Sequence, residues 1–173
     1  MAGPIAGRVL DFAGGLGVSS PSVIVDSNYQ FLGYLANTTA FADTVDTALP
    51  LDTEIYKAGI THSTVTNNSR VTITKAGMYG IYTRLVIANN ASNVGDVLAT
   101  LYLNGSAHRY LASVQLTFAQ TQVLVAYTQQ SLAVNDYVEL FILCDGTALN
   151  RNIYGIDARL GSYFGVYLLS GQS

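Results

Sequence analysis

The sequence predicts an all-β chain of about ten strands, folded as an antiparallel β-sandwich or jelly roll. Three observations carry that reading. From Asn28 onward the chain is a succession of short runs of Val, Ile, Thr, Tyr and Phe, punctuated by Gly, Asn, Asp and Ser. No window of a dozen residues keeps the apolar period of an amphipathic helix. The strand-sized runs follow one another at the spacing of sandwiches and barrels instead of alternating with helical segments.

The elements follow in order. Residues 1–27, MAGPIAGRVLDFAGGLGVSSPSVIVDS, break short apolar clusters with Gly, Ser and Pro. They read as an extended amino-terminal arm ordered by a partner surface, with residues 28–173 as the jelly-roll domain. Strands are expected at 31–35 (FLGYL), 39–43 (TAFAD), 54–58 (EIYKA), 71–75 (VTITK) and 79–88 (YGIYTRLVIA), each rich in β-branched or aromatic residues. Five more follow at 97–103 (VLATLYL), 108–113 (HRYLAS), 122–130 (QVLVAYTQQ), 137–143 (YVELFIL) and 163–169 (YFGVYLL). Turns are expected at 67–69 (NNS), 76–77 (AG), 104–105 (NG), 135–136 (ND) and 145–146 (DG). Asn104-Gly105 is the sharpest, because both residues tolerate the positive φ of a tight hairpin.

Composition limits function. Of 173 residues, 11% are charged and 50% hydrophobic, more apolar surface than a free monomer leaves bare, so self-association is expected. A net charge of -3 with singly scattered basic residues argues against a nucleic-acid partner, which demands clustered Lys and Arg. Cys144 is alone within the apolar run ELFILC and reads as a small buried hydrophobe. No basic stretch followed by an apolar core opens the chain, and no apolar run approaches the roughly 18 residues of a membrane span. The expectation is a chain made in the cytoplasm and not inserted in a membrane.

Several passages are similar to the trimeric jelly roll shared by tumour necrosis factor and the globular heads of complement proteins. TAFA at 39–42 stands where that family has its first strand, and EIYKAG at 54–59 looks like its short strand before a loop. VTITKAGMY at 71–79 resembles its strand, small residue, Gly, apolar, Tyr passage; LYLNG at 101–105 resembles its Asn-Gly hairpin. LAVND at 132–136 stands for Leu-x-x-Gly-Asp, with Asn135 in place of Gly, a residue that also accepts a left-handed turn. YFGVYLL at 163–169 is close to the closing strand.

Alternation sharpens what the resemblance implies. In the last strand Phe164, Val166 and Leu168 share one face, while Tyr163, Gly165, Tyr167 and Leu169 share the other. In the middle strand Tyr79, Ile81, Thr83, Leu85 and Ile87 oppose Gly80, Tyr82, Arg84 and Val86. Neither strand has a polar face, so a second cover is needed. The resemblance implies that neighbours in a homotrimer supply it, meeting Tyr82, Arg84, Tyr163 and Tyr167 together with Val125 and Tyr127. The other reading is that these tyrosines fill a monomer core or stand half exposed.

No catalytic constellation is legible, and the expectation is a protein that is not an enzyme and needs no cofactor. His62 and His108 are isolated and read as surface or edge-strand residues. GGLG at 14–17 lacks the Lys-Ser/Thr of a phosphate loop, and no Gly-x-Ser-x-Gly elbow occurs. Asp43, Asp46, Asp52 and Glu54 match no calcium loop and read as a solvated stretch.

The functional expectation is a bacteriophage virion protein: a trimeric capsid decoration, or cement, protein assembled in the host cytoplasm. Its arm docks on the major capsid protein or another virion protein through Ile5, Val9, Leu10, Phe12, Val23 and Ile24, with Arg8 as a charge contact. Three arms per trimer multiply a weak attachment. The alternative is a receptor-binding head- or tail-fibre tip that recognises a host glycan or protein. A secreted cytokine-like module is expected to carry a leader, anchor or collagen-like stalk, and none is read here.

Overall fold

The computed structural model describes residues 24–88, 95–116, 121–145, 151–155 and 161–170. Among them are thirteen strands and no helix: β1 (Ile24–Tyr34), β2 (Thr39–Phe41), β3 (Thr47–Ala48), β4 (Thr53–Ala58), β5 (Ile60–Thr61), β6 (Val71–Ile73), β7 (Gly77–Ala88), β8 (Gly95–Leu103), β9 (Ser106–Leu116), β10 (Gln122–Leu132), β11 (Tyr137–Asp145), β12 (Arg151–Ile153) and β13 (Tyr163–Ser170). All ladders pair antiparallel, apart from one isolated parallel bridge between Asp43 and Cys144.

The strands form two sheets. The first runs β2-β12-β7-β13-β1-β4, with β10 also on β7. Because Ile81 pairs with both Val166 and Thr128, and Ile87 with both Ile153 and Gln122, β10 lies on the flank of β7 opposite β13 and β12. The second sheet runs β5-β6-β11-β8-β9, with β3 continuing along β11 beyond β6. Inward residues of both sheets, among them Phe31, Tyr79, Ile81, Phe164, Leu101 and Leu140, form one closed apolar core. Tyr79 donates its hydroxyl to the Lys75 carbonyl at 2.7 Å, and burial pushes its phenol up to about 12. Cys144 lies in this core, where burial raises its thiol to about 11.

All ten expected strands form. The additional β3, β5 and β12 are two or three residues long, too short to show a period. β1 begins at Ile24, so the first sheet takes in Ile24, Val25 and Asp26 from the stretch read as arm; they pair with Ser170, Leu169 and Leu168. A register shift follows between Asp26 and Gln30, where Asp26 Oδ1 accepts bonds from the Asn28 backbone N–H and Nδ2, both at 3.0 Å. The arm residues Ile5, Arg8, Val9, Leu10, Phe12 and Val23 lie outside the described residues.

Three of the five expected turns take the left-handed backbone their residues permit, whereas Gly77 already opens β7 and Gly146 lies outside the described residues. Asn104 and Gly105 have φ of 52° and 80°, and Asn67 and Asn135 are also left-handed at 50° and 71°. Two of these turns interlock: Asn104 Nδ2 donates to Asp136 Oδ1 at 2.8 Å, while Asn104 Oδ1 accepts from the Tyr137 N–H at 3.0 Å. The bonds from Asn104 and from the Ala133 N–H lower the Asp136 carboxyl below its usual range.

His62 departs from the expectation of a surface side chain. Its ring is buried against Phe31, with centroids 4.5 Å apart, because both ring nitrogens find acceptors: Glu54 Oε1 at 2.7 Å and the Asn68 carbonyl at 2.9 Å. Burial alone pushes the Glu54 carboxyl up, but hydrogen bonds from Lys57 and His62 outweigh it and hold Glu54 below its ordinary value. Asp46 and Asp52 turn to separate partners, Tyr102 and Asn68. His108 is exposed on β9 and bonds Gln130 Oε1 at 2.9 Å.

A Cβ at position 105 meets the Tyr137 hydroxyl at 2.9 Å and an unfavourable positive φ. Gly105→Ala is therefore expected to cost about 1–2 kcal/mol, read as a lower urea midpoint at unchanged slope. An unchanged midpoint contradicts the assigned turn.

Candidate functional site

The outward face of the first sheet gathers six of the twelve tyrosines of the chain: Tyr34, Tyr56, Tyr82, Tyr127, Tyr163 and Tyr167. Directly opposed residues in an antiparallel ladder share a face, so the registers build it row by row. One row reads Tyr127, Tyr82, Gly165, Leu32 and Tyr56 across β10, β7, β13, β1 and β4. The next reads Val125, Arg84, Tyr163 and Tyr34, and a third Gln129, Gly80, Tyr167 and Gln30.

Two glycines seat the rings. Gly165 lies opposite Tyr82 and Gly80 opposite Tyr167, so each of β7 and β13 lends a glycine beneath the other's tyrosine. A Cβ on Gly165 stands 2.2 Å from the Tyr82 ring, and one on Gly80 stands 2.5 Å from that of Tyr167. With the rings laid flat over the backbone, Tyr82 reaches Tyr163 and Tyr167 at centroid distances of 5.8 Å each, and Tyr163 reaches Tyr34 at 5.5 Å. The hydroxyls of Tyr56 and Tyr82 share a hydrogen bond of 3.1 Å, and Gln129 Nε2 donates to the Tyr127 hydroxyl at 3.1 Å. Arg84 donates from Nη1 to the Gly161 carbonyl at 3.0 Å, which explains a guanidinium in this apolar lattice.

Burial, then bonds to and repulsion from neighbouring phenols, drive the Tyr82 and Tyr167 hydroxyls far above the usual tyrosine range. Tyr34 is raised chiefly by burial, with Tyr163 adding to it. The face buries large rings, the hydroxyls of Tyr56, Tyr82 and Tyr127 are hydrogen-bonded, and no group of His, Cys, Asp and Glu able to hold a metal ion lies among the described residues.

The six expected contact residues all lie here. Tyr82, Arg84, Tyr163 and Tyr167 are half-buried, whereas Val125 (67%) and Tyr127 (52%) are exposed on β10, which among the described residues pairs with β7 alone. Val123 extends that exposed row. Alternation holds in both strands: Phe164, Val166 and Leu168 face the core, as do Tyr79, Ile81, Thr83, Leu85 and Ile87. Tyr34, Tyr56 and Val123 were missed. The β1/β4 register shifts between Leu32 and Gly33, so parity alone does not assign the β4 side chains; Val123, by contrast, shares the parity of Val125 and Tyr127.

No protein-family model matches the chain. No curated protein is similar to it in sequence. Solved structures are similar in fold: Eiger TNF from S. frugiperda superposes with a TM-score of 0.55 at 11% identity, covering 83% of this chain and 92% of that one. Murine APRIL superposes with a TM-score of 0.54 at 14% identity, covering 81% of this chain and 98% of that one. The chain has a tumour necrosis factor-like jelly-roll fold.

Two outcomes follow from the lattice. Gly165→Ala forces Tyr82 from its seat and is expected to cost about 1–3 kcal/mol in thermal unfolding, while a neutral result removes the seat. The second concerns pH. A folded phenol held above its unfolded value of 10.0 contributes stability that is full below pH 10 and is lost as pH rises through the folded value. Stability should therefore fall from about pH 10 through about 12, where Tyr79 titrates, with tyrosinate absorbance appearing together with unfolding. Independent titration of all twelve phenols near pH 10 is the opposite result.

Proposed function

We propose that the tyrosine face is the contact between identical subunits and that the chain acts as a non-catalytic homotrimeric structural module. One observation carries the reading: a continuous tyrosine and valine lattice runs across the first sheet and ends in an exposed apolar row, Val123, Val125 and Tyr127, on an edge strand. An apolar row on an edge that no described strand pairs invites association, and aromatic rings with hydrogen-bonded hydroxyls suit an interface core. The setting we propose is the virion, with the trimer as a capsid decoration protein and residues 1–23 docking on a shell protein. That setting rests on the arm-like composition of the segment and on the low charge of the chain.

Light scattering after size exclusion tests the contact. The wild type is expected at trimer mass, and Val125→Asp with Tyr127→Asp as a folded monomer, because both side chains are exposed in the single subunit. A wild-type monomer, or a variant that stays trimeric, refutes the contact. Removing residues 1–23 is expected to leave the trimer intact and abolish its co-sedimentation with assembled shells; undiminished sedimentation refutes the docking role.

A further inference from the structure

The second sheet presents an outward face that the proposed subunit contact does not use. Its registers place Asp145 opposite Asp96, Leu143 opposite Leu98, Phe141 opposite Thr100, and Glu139 opposite Tyr102. Tyr110, 54% exposed, adjoins Thr100 from β9. Tyr102 and Phe141 stack with centroids 3.8 Å apart, and the Tyr102 hydroxyl donates to Asp46 Oδ2 at 3.0 Å. The face is thus an apolar and aromatic strip with exposed Asp96 and Asp145 at one end and exposed Asp46 at the other, while Glu139 is buried and held by Ser69 and Arg70.

Two features identify its occupant. Asp96 and Asp145 are both exposed and directly opposed, a like-charge pair that destabilises a bare ladder. Among the described residues no cation answers them. Arg70 sits at the far end, over the Tyr137 ring at 3.7 Å and beside Glu139, while Arg109 turns to Thr128 Oγ1 on β10. Between the acidic ends lies the Leu98–Leu143 pair, which offers a sugar no hydroxyl partner, and the stacked rings spend faces on each other. Charge at the ends and apolar surface between them match a polypeptide better than a glycan.

We propose that this face docks an extended basic segment of a partner protein, with cationic side chains at Asp96/Asp145 and near Asp46 and apolar side chains over Leu98, Leu143 and Phe141. Asp96 and Tyr102 are six residue steps apart on one strand, about 20 Å. A peptide with cations six positions apart and alternate apolar residues spans that distance. The inference is independent of the subunit contact, since it concerns the opposite sheet.

The probe is the capped peptide Arg-Ser-Leu-Ser-Leu-Ser-Arg, titrated into the full chain and followed by amide shifts, with Glu-Ser-Leu-Ser-Leu-Ser-Glu as control. Saturable shifts at Leu98, Leu143 and Phe141 are expected. They should weaken roughly tenfold in Asp96→Asn/Asp145→Asn and weaken further with added salt. The double variant should melt no lower than wild type, because it relieves a like-charge pair, so lost binding cannot be mistaken for lost fold. The proposal is overturned by equal binding of the acidic control, by unchanged affinity in the double variant, by shifts confined to another surface, or by a neutral oligosaccharide that perturbs the same amides when the peptide does not.

Discussion

The architecture depends on β7 being paired along both flanks while both of its faces are covered. One set of its side chains, from Tyr79 to Ile87, closes the core, and the other set, from Gly80 to Val86, builds the outward lattice. A strand with one wet face can exchange its outward residues freely. β7 cannot, because Tyr82 rests on Gly165 and Tyr167 rests on Gly80. The two Gly-x-Tyr triplets, Gly80-Ile-Tyr82 and Gly165-Val-Tyr167, satisfy each other only in the observed register. A shift of β7 by one residue against β13 sends Tyr82 into the core and the core set of β7 into solvent. The same exchange that fixes register also lays out the proposed interface.

Turns and polar contacts support this arrangement from the periphery. Left-handed Asn104 and Gly105 join β8 to β9, and Asn104 also ties this hairpin to the turn before β11 through Asp136. On the other side, Glu54 and Lys57 of β4 hold the segment after β5 through His62, so the strand carrying Tyr56 is anchored to the body of the sandwich. Tyr56 in turn holds the Tyr82 hydroxyl.

Much of this was legible in the chain. Runs of β-branched and aromatic residues located ten strands, and Asn-Gly and Asn-Asp located turns, since both signals depend on neighbouring residues alone. Alternation in 79–88 and 163–169 assigned both faces correctly because neither strand is interrupted by a bulge within that stretch. What escaped depends on distant partners. His62 reads as an isolated histidine until Glu54 and Asn68 are brought to its two nitrogens. β12 exists only because β7 and β2 flank it, Tyr34 joins the lattice by pairing with Tyr163 of β13, and Tyr56 joins it through a β1/β4 register that shifts between Leu32 and Gly33. The mutual seating of Tyr82 and Tyr167 was readable in the repeated Gly-x-Tyr triplet, once the two strands are known to be antiparallel neighbours.

The central claim is that the tyrosine face, and not the opposite sheet, meets other subunits. Tyr127 and Tyr110 make a matched pair for this purpose: they are 52% and 54% exposed in the single subunit and lie on different sheets. Hydroxyl-radical footprinting of the purified protein at assembly concentration compares them within one sample. A trimer joined through the tyrosine face predicts strong protection of Tyr127 with Tyr110 fully reactive. Equal labelling of the two, or protection of Tyr110 alone, contradicts it.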